Sequence, residues 1–158
     1  MDDLYTFLIT GEQKLTKMKL PIHFLLLSPF LIFLLIHRYK RLDGCGKLRV
    51  LQNVPKRFEV SRSNELGTYW LARKIAGFTM LWVNLFRQGE ALCLERAIII
   101  CYMLRSFDLP AKVIIAKKLS FSMIEQYPFH AWVELHGKAV DEHKAVRQQY
   151  KLLDSLPS

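Results

Sequence analysis

Cys93, His130 and Asp141 stand in an order and setting that suit covalent chemistry at a thiol. A cysteine can attack a carbonyl once a neighbouring imidazole takes its proton. An acid on the far side of that imidazole holds one tautomer and stabilises the charged ring. The cysteine lies in Leu92-Cys93-Leu94-Glu95-Arg96-Ala97, where an apolar helical run begins, so the positive end of a helix would favour its thiolate. The histidine opens His130-Ala131-Trp132-Val133-Glu134, which alternates like a strand. An oxyanion formed on the thiol would need backbone N–H donors, the first that of Cys93 itself, and Gln88 just upstream is the candidate for the second.

The elements that must position these residues can be read in outline. His136-Gly137 reads as a two-residue turn joining a strand at 129–135 to one beginning at Lys138. Counting outward from that turn sets Leu135 opposite Lys138, Val133 opposite Val140 and Trp132 opposite Asp141. His130, Trp132 and Glu134 then share a face with Asp141 and His143, and Asp141 sits diagonally across from His130, roughly 7–8 Å by backbone. On the same count Glu142 points to the other face. Ala91 to Ser106 is apolar on most sides and belongs in a core. Leu66 to Phe86 has apolar residues at three- and four-residue spacing, as one amphipathic helix or two broken near Gly77, with Asn64 as a candidate N-cap. Lys112 to Lys118 reads as a strand, Leu119 to Pro128 as a loop, and the tail after His143 as helical or frayed. Glu95 and Arg96 read as a pair on the helix surface, and Cys101 as a core residue.

Leu20 to Ile36 is nearly all apolar and is flanked by basic residues on both sides. It falls just short of the ~20 residues that cross a bilayer comfortably, and Pro29 would kink a helix. A helix packed on its own domain, a membrane-surface anchor and a true span all remain open. Asp43-Gly44-Cys45-Gly46 is the expected hinge, dividing an apolar helical segment at 1–47 from a domain at 48–158.

The 158 residues and the net charge of +9 exclude little, but no nucleic-acid motif accompanies the charge, so no nucleic-acid partner is expected. Cys45, Cys93 and Cys101 have no paired spacing, and the last two lie roughly 12 Å apart along one helix, too far for a disulfide. Reduced thiols and a cytoplasmic setting follow, with membrane association through 20–36 as one option, and no metal or cofactor is expected.

At five places the chain resembles the transglutaminase-like, papain-related cysteine proteases, and more narrowly the leader peptidases (B proteins) of lasso-peptide biosynthesis. These are Tyr69-Trp70-Leu71-Ala72-Arg73, Cys93-Leu94-Glu95-Arg96-Ala97, Leu104 to Ala111, His130 to Leu135, and Gly137-Lys138-Ala139-Val140-Asp141-Glu142. The resemblance implies an α+β fold, with N-terminal helices and the catalytic cysteine at a helix start packed on a small antiparallel sheet. It implies Cys93 as nucleophile, His130 as base and acid, and Asp141 as orienting acid. The implied activity is removal of the leader from a ribosomally made precursor through a thioester. The implied partners are the precursor's leader peptide, a separate leader-recognition protein and a lasso cyclase. An acyl transferase or deamidase of the same fold, or a non-catalytic peptide-binding scaffold, are the alternatives.

Overall fold

The computed structural model describes residues 20–59, 65–89, 91–119, 129–142 and 146–156. Asn64, the 120–128 segment and His143 lie outside them, as do the side chain of Cys45 and the lysines before Leu20.

Helix α1 (Ile22–Arg41) opens after Pro21, which is extended at φ −61°, and runs unbroken through Pro29 to Arg41. A proline inside a helix removes one N–H bond, but here burial outweighs that loss. Phe24, Ser28, Ile32, Leu35, Ile36 and Tyr39 form one buried stripe at helical spacing. Phe24 meets the rings of Phe58, Phe78 and Phe107 at 5.2, 5.5 and 5.0 Å between centroids. The expected division at 47/48 thus passes between residues that share one core. The expected hinge is itself the start of a short helix, α2 (Gly44–Arg49). The Asp43 carboxylate accepts the Gly46 N–H at 2.7 Å, as an N-cap does.

Helix α3 (Glu65–Arg87) is continuous through Gly77. Helix α4 (Cys93–Arg105) is buried from Ala97 through Leu104, between α1 and α3 on one side and the sheet on the other. Its apolar circumference is what that position demands. After the Phe107–Pro110 connection, the chain enters a sheet of β1 (Ala111–Lys118), β2 (Phe129–Leu135), β3 (Lys138–Ala139) and β4 (Tyr150–Leu156), with a one-turn helix α5 (Val146–Gln149) before β4. The strand order is β3-β2-β1-β4, with every pairing antiparallel.

The β2–β3 turn is as expected. His136 and Gly137 have φ of 49° and 76°, the left-handed pair of a tight hairpin, and Leu135 pairs with Lys138. Alternation then sorts the strands. Val113, Ala131, Val133 and Leu135 join the helices in the main core. Ile114, Ala116, Trp132 and Ala139 form a second cluster on the far face with Val146 and Tyr150. The tail, expected to be helical or frayed, is helical only in the single turn of α5, and its last seven described residues are an edge strand on β1. Tyr-Lys-Leu-Leu-Asp-Ser-Leu has no strand alternation and stays mostly exposed, so it is the free edge of β1 that makes it a strand. The architecture is α+β.

Candidate active site

Cys93 is the first residue of α4 and is half-buried. Leu92 precedes it and supplies no side-chain cap to the first-turn N–H groups of the helix. The thiol is hydrogen-bonded to His130, and this bond is the main cause that holds its pKa below the ordinary cysteine value. Burial opposes that shift, while the backbones of Ala131 and Leu94 support it. Cys101, two turns along the same helix, is the contrast. It is fully buried, donates to the Ala111 carbonyl at 3.4 Å, and burial pushes it up to about 12. The two thiols differ as their places in the helix do, since only Cys93 sits at its start.

His130 reaches the thiol from the second position of β2. Its pKa is raised to about 9, first by the bond to Cys93, then by a carboxylate, with burial opposing. Thiol and imidazole thus favour each other's charged forms, as a thiolate–imidazolium pair. The ring is flanked by Trp132 and Tyr150, with centroids at 6.0 and 5.4 Å.

The carboxylate on the ring is that of Glu142, whose Oε1 lies 3.2 Å from His130 Nε2. The sequence expectation placed Asp141 there. Instead the Asp141 carboxylate accepts the backbone N–H of Val133 at 2.7 Å, and burial pushes its pKa up to about 7. The reason is local. Strand β3 ends at Ala139, and Val140 to Glu142 form a bend. Beyond the last ladder pair the alternation of faces no longer holds, so the residue counted to the wrong face is the one that reaches the histidine. Arg96 adds to this arrangement, with its Nη2 4.0 Å from the same Glu142 oxygen. One turn after Cys93, Arg96 shares the cysteine's side of α4. The Cys-Leu-Glu-Arg run therefore carries both the nucleophile and a cation for the carboxylate.

Glu95 and Arg96 do not pair with each other on the surface. Glu95 is buried, with Oε1 3.3 Å from Arg87 Nε, which ties the end of α3 to the start of α4. Tyr39, at the end of α1, comes close enough that the charges of Glu95 and Cys93 add to the effect of burial and raise its pKa. Gln88 is exposed at the turn after α3, with φ 51° and its N–H directed to the Leu85 carbonyl at 3.4 Å. The backbones that hydrogen-bond Cys93 are those of Leu94 and Ala131, and Gln88 is not among them.

Two contacts away from the thiol fix the hairpin. Tyr69 donates its hydroxyl to the Ala139 carbonyl at 2.9 Å and accepts from Arg73 Nη1 at 2.7 Å, fastening β3 to α3. Glu134, buried on the far face, accepts Trp132 Nε1–H at 2.8 Å and a two-pronged bond from Arg147 of α5.

The described site can hold a nucleophile, a proton carrier and an acid in one line: Cys93, His130, Glu142. That suits acyl transfer through a thioester. Comparison with known proteins agrees in kind. No curated protein and no solved structure matches the chain. A family model described as transglutaminase-like superfamily matches residues 34–155, a span from the middle of α1 to the end of β4 that includes every residue of this site. The chain therefore belongs to the transglutaminase-like superfamily.

Proposed function

We propose that the protein is a cysteine peptidase that removes the leader from a ribosomally synthesised lasso-peptide precursor, acting with a separate leader-recognition protein and before a lasso cyclase. Membership of the superfamily carries the coarser statement, activity of the cysteine peptidase or acyltransferase type. The observation that carries the mechanism is the Cys93–His130 hydrogen bond at the start of α4. The narrower reading is supported by the Cys-Leu-Glu-Arg and His-Ala-Trp-Val-Glu runs, which supply this nucleophile, its base and the arginine beside Glu142.

In this reading the Cys93 thiolate adds to the scissile carbonyl. His130, held protonated by Cys93 and Glu142, gives its proton to the leaving amine as the C–N bond breaks, leaving a thioester. The neutral ring then takes a proton from water, which attacks the thioester and releases the leader acid and the thiol. Backbone N–H groups at the start of α4 face the developing oxyanion. A nucleophilic thiol of this kind works where thiols stay reduced, which fits a cytoplasmic enzyme.

The test is incubation of the purified chain with a precursor peptide encoded beside its gene and the neighbouring recognition protein. Mass spectrometry should show cleavage at the leader–core junction, lost in Cys93→Ala. An intact precursor in which a glutamine side chain has instead exchanged its ammonia for an amine, or for water to give glutamate, would contradict the peptidase reading and favour an acyl transferase or deamidase.

A further inference from the structure

Helix α1 has two apolar faces, and the core covers only one of them. The buried stripe from Phe24 to Tyr39 packs inward. On the opposite side Ile22, Leu26, Phe30, Phe33 and His37 follow each other at helical spacing, with Leu27 and Leu34 beside them. The six apolar residues among these are between 45% and 74% exposed. From Leu25 to Leu34 every outward side chain is Leu or Phe, with no hydrogen-bonding group. Surface helices normally turn a polar face to water, and a contiguous apolar patch of this kind marks a surface that something covers.

The same outward face changes character in its last turn, where His37, Arg38, Lys40 and Arg41 are all exposed. In the sequence, Lys14, Lys17 and Lys19 precede the helix. An apolar face bracketed by cations is the pattern of a helix lying in a membrane interface, with apolar side chains among the acyl chains and basic ones at the phosphates. A protein partner would ordinarily meet a patch with hydrogen-bonding groups across it, and this stretch offers none.

By length and composition α1 could also cross a bilayer. Crossing would pull Phe24 and Ile32, both fully buried, out of the core they share with Phe58 and Phe107. A helix lying flat keeps the inward stripe packed and still covers the outward one.

We infer that the outward face of α1, from Ile22 to Arg41, docks the folded protein on an anionic lipid surface without spanning it. This is independent of which bond the enzyme cleaves. The test uses the purified full chain and sedimentation with vesicles of phosphatidylcholine alone or mixed with phosphatidylglycerol. The protein should bind the mixed vesicles, with affinity falling as salt rises, and bind phosphatidylcholine at least roughly 100-fold more weakly. The variant Ile22→Gln/Leu26→Gln/Phe30→Gln should lose binding to both while melting like wild type, because these side chains are outside the core and glutamine keeps the helix. The variant Arg38→Gln/Lys40→Gln/Arg41→Gln should lose roughly 100-fold on mixed vesicles only.

Wild-type protein left in solution with both vesicles would overturn the inference, as would equal binding by the apolar-face variant. So would a dimer on size-exclusion chromatography that the apolar-face variant makes monomeric, since the face would then belong to a second copy. Resistance of the expressed protein to alkaline carbonate extraction would show a spanning helix and overturn it too.

Discussion

Glu142 and Asp141 are adjacent in the chain, and only one of them is hydrogen-bonded to His130. Their variants should part accordingly. Glu142→Gln removes the charge that stabilises the imidazolium and should lower kcat by about 100-fold with little change in KM. Asp141→Asn keeps an acceptor for the Val133 N–H and should retain activity within about threefold of wild type. Equal losses in kcat, or a loss confined to Asp141→Asn, would return the orienting role to Asp141. Stability gives a second readout. Burial raises Asp141 to about 7 in the folded protein, against roughly 3.9 when unfolded. Between those values the native state holds a proton that the unfolded chain releases, so this group makes stability fall as pH rises from about 4 to about 7. Asp141→Asn should remove that part of the fall, read as a smaller drop in Tm between pH 5 and pH 8. The activity profile follows from the other pair. With Cys93 lowered by His130 and His130 raised to about 9, kcat/KM should fall on the alkaline side near 9, as the imidazolium loses its proton.

At the scale of elements, what was legible in the sequence was what local chemistry decides. The apolar run after Leu92 marks α4 and puts Cys93 at its start. His136-Gly137 marks the hairpin, and Leu135 does pair with Lys138. What was not legible depends on pairing between distant segments. Strand β4 has no alternation of its own and forms on the free edge of β1. The bend after Ala139 ends the alternation on which the Asp141 expectation rested. The partners of Glu95 and Arg96, namely Arg87 and Glu142, come from other elements, so neither could be found from their own helix. Arg147 likewise reaches back from α5 to buried Glu134. Arg147→Ala should therefore destabilise by about 2 kcal/mol in chemical denaturation. That is below the usual loss for stranding a buried charge, because Arg147 itself is half in water. No change in midpoint would mean that Trp132 alone satisfies Glu134.

On the scale of the whole molecule, α1 is part of the folding unit. Its inward residues share one core with α3, α4 and the sheet, and the family match begins within it. Phe24→Ala should cost about 3–5 kcal/mol, and a chain starting at Leu48 should lose its cooperative melt. A truncated chain that melts cooperatively and keeps its activity would show that 48–158 is a domain on its own. The same core sets Tyr39 near the thiol and carries α4 against β2, so nucleophile and base are brought together by tertiary packing.

The central claim is that the hydrogen bond from His130 lowers the pKa of the Cys93 thiol and favours its thiolate, and the most direct test needs no substrate. It is the rate of iodoacetamide alkylation against pH, with the labelled cysteine identified by peptide mapping. The account predicts that Cys93 is labelled first, with a titration midpoint below that of an ordinary thiol. His130→Ala should shift the titration up toward the ordinary thiol value of about 8.5, and Cys101 should stay unlabelled in the folded protein. A Cys93 that titrates like an ordinary thiol in wild type, unchanged by His130→Ala, would contradict it.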